Sequence, residues 1–277
     1  MTERLTLYYL PGSYYSQKAA LALLEKGVPF NQHYVNLTKG EHLEPWFIRL
    51  NRNAQVPLLK DGDKLIPESE DIIKYIDEQF NGVKLTISGN DDYDHINTVL
   101  SKNVPIEDIT YGTILNPDLS ATGLHPLFAH PPQKIKDDFV TYQARIRAYA
   151  EEHEELREAY SKHAEYLKNF LQNAVDRGNV EKCITNLQIV FDEVEKQLIK
   201  RGSESGKNWL IGPEFTTVDI ILTILLNRLV LLGQDGRYFS NQKRTHVHDY
   251  WVRVQTRRSF QDLLALVKTY TSQMKKD

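Results

Sequence analysis

Gln55-Val-Pro-Leu-Leu-Lys-Asp-Gly-Asp-Lys-Leu-Ile-Pro-Glu-Ser-Glu70 is the stretch on which the fold turns. Asp61-Gly62-Asp63 signals a tight hairpin, because glycine reaches the left-handed backbone that a short β-turn demands. The turn joins two brief strands, 56–59 and 64–66. Glu68-Ser69 then opens a helix over 68–80, with Ile72, Ile73 and Ile76 on one face.

Upstream, residues 5–9 (Leu-Thr-Leu-Tyr-Tyr) form a short strand that ends in the Pro11-Gly12 turn. Ala19, Ala20, Leu23 and Leu24 fall at helical spacing over 16–26, and Gly27 supplies a left-handed stop. A second strand spans 30–37, entered through Pro29, and 45–50 makes a short helical turn. The order β-α-β-α-β-β-α over residues 1–81 is that of a thioredoxin-like domain. Beyond a polar connector, 82–90, residues 91–277 read as helices alone. The expected architecture is therefore an α/β domain followed by an all-α domain. At 277 residues the chain is long for one core and comfortable for two.

The most regular feature lies in an insertion over about 117–178. Ile135, Phe139, Tyr142, Ile146, Tyr149, His153, Leu156, Tyr160, His163, Leu167 and Phe170 recur at alternating steps of four and three, a narrow heptad seam. The pattern predicts one helix over 133–175, on the order of 60 Å long, projecting from the body. A matching stripe of Cys183, Leu187, Val190, Phe191, Val194 and Leu198 offers a partner, with Gly178-Asn179 as the turn. The alternative is a surface at 135–170 for another protein, and seam histidines His153 and His163 are expected to be partly exposed. Farther on, Thr216 and Asp219 form a capping box, with Phe215 and Ile220 as the hydrophobic staple. The final helix carries Phe260, Leu263, Leu264, Val267 and Tyr270.

A net charge of −3 provides no field for nucleic acid, and the basic clusters Lys243-Arg244, Arg257-Arg258 and Lys275-Lys276 read as solvated surface. The single cysteine, Cys183, excludes an internal disulfide and a cysteine-rich zinc site. It lies far from residues 11–18, which excludes thiol redox chemistry there. His246-x-His248-Asp249 has ligand types without a partner cluster, so no metal site is expected. The most apolar stretch, 218–232, contains Asp219, Asn227 and Arg228, and is a buried helix rather than a membrane span of roughly 20 apolar residues.

Residues 5–27, 55–76 and 209–232 resemble the glutathione-transferase superfamily. Ser13-Tyr-Tyr-Ser-Gln-Lys18 and Glu44-Pro-Trp-Phe-Ile-Arg-Leu-Asn51, with Tyr111-Gly-x-x-Leu115 and the long insertion, resemble the ganglioside-induced differentiation-associated protein 1 family. The resemblance implies glutathione as substrate, a hydrophobic electrophile as acceptor, and a homodimer. It also implies a place in the cytosol or on the cytosolic face of the mitochondrial outer membrane, with a role in mitochondrial shape and contacts. Ser13 matches the catalytic serine of theta- and zeta-like classes, and Gln55, Val56, Pro57, Glu68 and Ser69 match glutathione-contacting positions.

The chemistry suits these residues. Glu68 can hold the peptide's ammonium, a helix N-terminus its carboxylate, and the backbone at Val56-Pro57 its cysteinyl amide. A hydroxyl at the first helix start, from Ser13, Tyr14, Tyr15 or Ser16, would keep the thiol ionised. Helix capping is the alternative role of Ser13, Glu68 and Ser69. Three departures from the families stand out. The chain ends in Met274-Lys-Lys-Asp277 where members carry a hydrophobic tail, Tyr14 and Tyr15 are bulky neighbours for Ser13, and the zeta-class cysteine motif is absent. A second reading follows: a regulatory or membrane-contact protein that keeps the fold without turnover.

Overall fold

The computed structural model describes residues 5–201, 209–240 and 243–274, so the Lys275-Lys276 cluster lies outside it. In β1 (Leu5–Tyr9), Leu5, Leu7 and Tyr9 point inward by simple alternation. α1 (Tyr14–Glu25) follows and stops just before Gly27, at φ 64°. β2 (Asn31–Tyr34) pairs parallel with β1, β3 (Leu58–Asp61) antiparallel with β1, and β4 (Lys64–Pro67) antiparallel with β3. The sheet order is β2-β1-β3-β4. β2 is shorter than the 30–37 expected, because it is an edge strand exposed along most of its length. α2 (Pro45–Leu50) and α3 (Ser69–Gln79) complete the thioredoxin-like half.

The connector 82–90 is pinned. The Asp77 carboxylate accepts from the Leu85 N–H at 2.9 Å, the Thr86 hydroxyl at 2.5 Å and the buried Lys26 ammonium at 3.0 Å. Leu85 in turn accepts from the Thr217 N–H at 2.7 Å, which ties the connector to the helical half.

That half contains α4 (Asp91–Lys102), α5 (Ile106–Leu115), α6 (Pro132–Glu152), α7 (Arg157–Val175), α8 (Arg177–Lys200), α9 (Thr217–Leu231), α10 (Asp235–Tyr238), α11 (Thr245–Val254) and α12 (Arg258–Met274). α9 is buried at every position from Thr217 to Leu229 and starts with the expected capping box between Thr216 and Asp219. Gly112 faces Val180 where a side chain would collide, so α5 and α8 approach closely. One core joins both halves, from Leu7 and Ile76 to Ile224 and Tyr250.

The long helix of the insertion is corrected. It breaks at His153, where φ −125° and ψ 82° leave the helical region, and a 3-10 turn at Glu154–Leu156 reverses the chain. α7 runs back along α6: Gln143 donates to the Ala164 carbonyl at 3.1 Å, and Phe139 stacks on Phe170 at 5.5 Å. The seam thus buries itself, which a straight rod would leave in water. α8 carries the predicted stripe but spends it mainly on α4, α5 and α11. The turn before α8 is at Asp176, whose carboxylate caps Asn179, so Gly178 and Asn179 lie inside the helix. His163 is buried, not partly exposed.

The hairpin lies on the thioredoxin-like half. The Tyr142 hydroxyl donates to the Leu37 carbonyl at 2.7 Å, Arg145 to that of Lys39 at 2.6 Å, and Tyr160 to that of Leu43 at 3.0 Å. Beneath these bonds a second core gathers Leu43, Ile48 and Ala54 with Phe139, Ile146, Tyr160 and Phe170.

Candidate functional site

The N-terminus of α1 is shaped by the Pro11-Gly12 turn. The Ser13 N–H closes it on the Leu10 carbonyl at 2.9 Å, and Gln17 Nε2 holds the Pro11 carbonyl at 2.8 Å. Ser13 is half-buried and caps α1 by accepting from the Ser16 N–H over a long 3.4 Å. The other hydroxyls sort by position. Ser16 is buried and accepts from Leu10, a structural task. Tyr14 turns into the core, so its bulk does not fill the space before Ser13. Tyr15 stays half-buried, and its hydroxyl is pushed well above the usual range by burial, then by Glu107, Glu68 and Glu70. Lys18 is buried behind these rings, its ammonium 5.2 Å from the Tyr15 ring centre and 3.7 Å from Glu70, and burial pushes its pKa down.

Facing this end is the 51–57 segment. Asn51 organises it, donating from its side chain to the Gln55 carbonyl at 2.7 Å and accepting from the Asn53 N–H at 3.1 Å. The Val56-Pro57 bond is cis, and the Val56 side chain packs with Val35 and Phe47. Pro57 leads into β3, so the Val56 backbone lies outside the ladder, which begins at Leu58.

α3 begins at Ser69, which is buried, while Glu68 before it is exposed. Glu68 does not cap its helix; its carboxylate accepts instead from Asn53 Nδ2 at 3.1 Å. Among the described residues, Ala54 (φ 54°) and Glu68 (φ 63°) are the non-glycine positions with left-handed backbone. Both flank the same surface, where such strain, about 1–3 kcal/mol each, marks functional sites. The structure therefore brings Gln55, Val56, Pro57, Glu68 and Ser69 together on one strip, with Tyr15, two residues after Ser13, close enough to Glu68 to feel its charge.

The helical half adds residues that sequence reasoning missed. Tyr166 of α7 donates to Glu107 of α5 at 3.1 Å and also hydrogen-bonds Gln55. Burial holds the Glu107 carboxyl above its ordinary value. His163 bonds the Asn53 carbonyl through Nδ1 at 3.1 Å while its buried Nε2 has no partner. Burial pushes His163 down to about 4. Tyr166 and His163, with Arg52 and Lys162, line an open cleft of about 560 Å³ beside Gln55. A tyrosine and a histidine on a heptad seam carry no local sign that they will meet this strip. Arg228 did carry one, as a cation inside an apolar helix; it reaches the Gly12 carbonyl at 2.7 Å.

The chain is 30% identical over 279 residues to ganglioside-induced differentiation-associated protein 1-like 1 of Homo sapiens, covering 96% of this chain and 75% of that protein. The chain belongs to the glutathione-transferase superfamily. The family model for the glutathione S-transferase N-terminal domain matches residues 7–84. Glutathione S-transferase TCHQD of Arabidopsis thaliana is 28% identical over 263 residues, 93% of this chain and 88% of that one. The crystal structure of glutathione transferase F2 from Populus trichocarpa superposes with a TM-score of 0.65 at 20% identity, covering 96% and 99% of the two chains, a likeness of fold. The strip from Gln55 to Ser69 is thus set in a chain that shares this family's fold, with the α6–α7 hairpin packed against residues 43–54. Among the described residues no group of three potential metal ligands occurs, and no helix is long and apolar enough to cross a membrane.

Proposed function

We propose that this transferase-like protein binds glutathione on the strip from Gln55 to Ser69 and joins its thiol to a hydrophobic electrophile. Glu68 takes the ammonium, the uncapped start of α3 with Ser69 takes the γ-glutamyl carboxylate, and the Val56 backbone takes the cysteinyl amide. Ser13 donates to the sulfur at the N-terminus of α1, and the acceptor lies against α5 and the hairpin. The observation that carries this reading is Glu68: its carboxylate is exposed, held by Asn53 and released from capping by a left-handed backbone. A homodimer in the cytosol, or on the cytosolic face of the mitochondrial outer membrane, goes with it by family resemblance.

A glutathione titration followed by thermal unfolding tests this reading. Ligand at about 100 times its dissociation constant stabilises by roughly 2.7 kcal/mol. A shift in wild type with turnover lost in Ser13→Ala supports the enzyme. No shift at millimolar glutathione sinks it.

The hairpin supports a second reading, a regulatory protein acting at mitochondrial contacts. Its outer face, with Val140 at 70% exposure, takes no part in the peptide strip. Under this reading Val140→Glu abolishes the effect on mitochondrial shape and leaves glutathione binding intact; an unchanged phenotype refutes it.

A further inference from the structure

Arg228 lies on α9 in the middle of the shared core, with 4% of its surface exposed. Its Nη2 donates to the Gly12 carbonyl at 2.7 Å and its Nη1 to the Thr110 hydroxyl at 3.3 Å, while Nε is buried without a partner. The guanidinium stands 4.6 Å from the Phe128 ring centre and 5.9 Å from that of Tyr14. Among the described residues no carboxylate lies within ion-pair distance of it. Burial pushes its pKa down to about 10, so it remains charged at neutral pH.

A buried charge without a counter-ion is costly, and an apolar side chain of similar volume would serve packing better. What Arg228 faces is the turn that presents Ser13. The carboxylates near Tyr15, namely Glu68 just before α3, Glu70 in its first turn and Glu107 on α5, all disfavour an anion there. The cations close to the same rings are Lys18, against Tyr14 and Tyr15, and Arg228, against Tyr14. A serine hydroxyl supplies one hydrogen bond but no charge. Lys18 is already near Glu70, which leaves Arg228 as the cation whose charge is unanswered.

Resting on the glutathione reading above, we infer that Arg228 is a positioning residue of the thiol site. It holds the Pro11–Ser13 turn through Gly12, and its charge makes the start of α1 favour a thiolate, which becomes its counter-ion. The residue acts across the domain junction, so the helical half conditions sulfur chemistry carried on the thioredoxin-like half.

The test uses the full chain as wild type, Arg228→Met, Arg228→Gln and Arg228→Lys. The bound thiol is titrated by thiolate absorbance, and affinities are measured for glutathione and S-methylglutathione, which cannot ionise. In wild type the bound thiol should titrate below the free value of about 8.5. Arg228→Gln keeps a donor for Gly12 but drops the charge, and should raise that pKa by at least about one unit, as Arg228→Met should. Arg228→Lys should stay within about half a unit of wild type. S-methylglutathione should bind every variant within about threefold of wild type, since it offers no charge.

A thiol pKa unmoved in both neutral variants overturns the inference, as does a shift in Arg228→Met alone, which would assign only the grip on Gly12. Should the neutral variants not fold, wild type carries the test. Its affinity for glutathione relative to S-methylglutathione must rise with pH between the bound thiol's pKa and the free thiol's, about 8.5, and a flat ratio overturns the proposal. Failure of wild type to bind either peptide overturns the glutathione reading itself, and is distinguishable from all of these.

Discussion

Helix α9 and the α6–α7 hairpin both meet the thioredoxin-like half, yet they are held there by different physics. α9 is buried on all sides from Thr217 to Leu229 and is started by a local motif. Asp219 accepts from the Thr216 N–H and hydroxyl at 2.9 and 3.0 Å, from the Leu210 N–H at 2.9 Å and from the Tyr250 hydroxyl at 3.1 Å. α6 buries little beyond Phe139 and Ile146, and the hairpin adheres through side chains that reach backbone carbonyls of residues 37–53. One element is kept by apolar burial around a satisfied carboxylate. The other sets a small aromatic core beneath a seam of neutral imidazoles and hydroxyls, so the two should fail under different conditions.

The largest effect should come from Asp219→Ala, which strands several buried donors at once. We expect a loss of about 4–5 kcal/mol in chemical denaturation, against about 1–2 kcal/mol for Asp219→Asn, which keeps an acceptor. Equal losses would mean that the carboxylate is not the organising group.

Acid should separate the regions next. His42 and His163, with ring centres 5.9 Å apart, are pushed by burial from 6.5 to about 3 and about 4. Arg145 disfavours charge on His42 as well. Folded values below the unfolded ones mean that this stability is present above pH 6.5 and is lost as pH falls towards 4. At pH 5 the two together should cost on the order of 4 kcal/mol. Asp219 has the opposite sign, because burial raises it to about 6, so stability is lost as pH rises through that value. Moving from pH 7 to 5 should therefore return about 1 kcal/mol at the α9 start. Hydrogen exchange at pH 5 should show faster opening over 132–175 and none at 217–229. Uniform loosening would erase the distinction.

A smaller effect is expected of Phe139→Ala, which leaves a hole against Phe170 and Tyr111. About 3 kcal/mol should be lost from the hairpin, read as proteolytic cutting within 132–175 while α9 stays protected. Tyr160→Phe should cost only about 1 kcal/mol, the value of its bond to the Leu43 carbonyl plus that acceptor's burial. A loss of 3 kcal/mol or more there would make the polar seam, not the aromatic stack, the chief anchor.

The thioredoxin-like half was legible because its decisive signals are local. Asp61-Gly62-Asp63 turns where only a left-handed backbone can turn, and Gly27 ends α1 for the same reason. Gln55, Val56, Pro57, Glu68 and Ser69 were named by family resemblance alone, and the fold sets them along one surface, Glu68 held there by Asn53. The structure added Asn53, Tyr166, Glu107 and Arg228, residues joined to it from distant segments. The break at His153 was not legible at all. Residues 150–157 contain neither glycine nor proline, and the same heptad spacing serves a straight rod or a helix folded on itself.

By itself, then, the sequence determined where backbone conformation is dictated residue by residue: turns, helix stops, the Thr216–Asp219 cap and the alternation of β1. Only the tertiary structure decided which surfaces those elements would cover. It turned the insertion back on itself and against residues 37–55, and it set Arg228 under Gly12. The physical reason is that periodicity specifies that a face must be buried but not by what. That choice belongs to contacts between residues more than a hundred positions apart, as from Arg228 to Gly12 and from Tyr160 to Leu43.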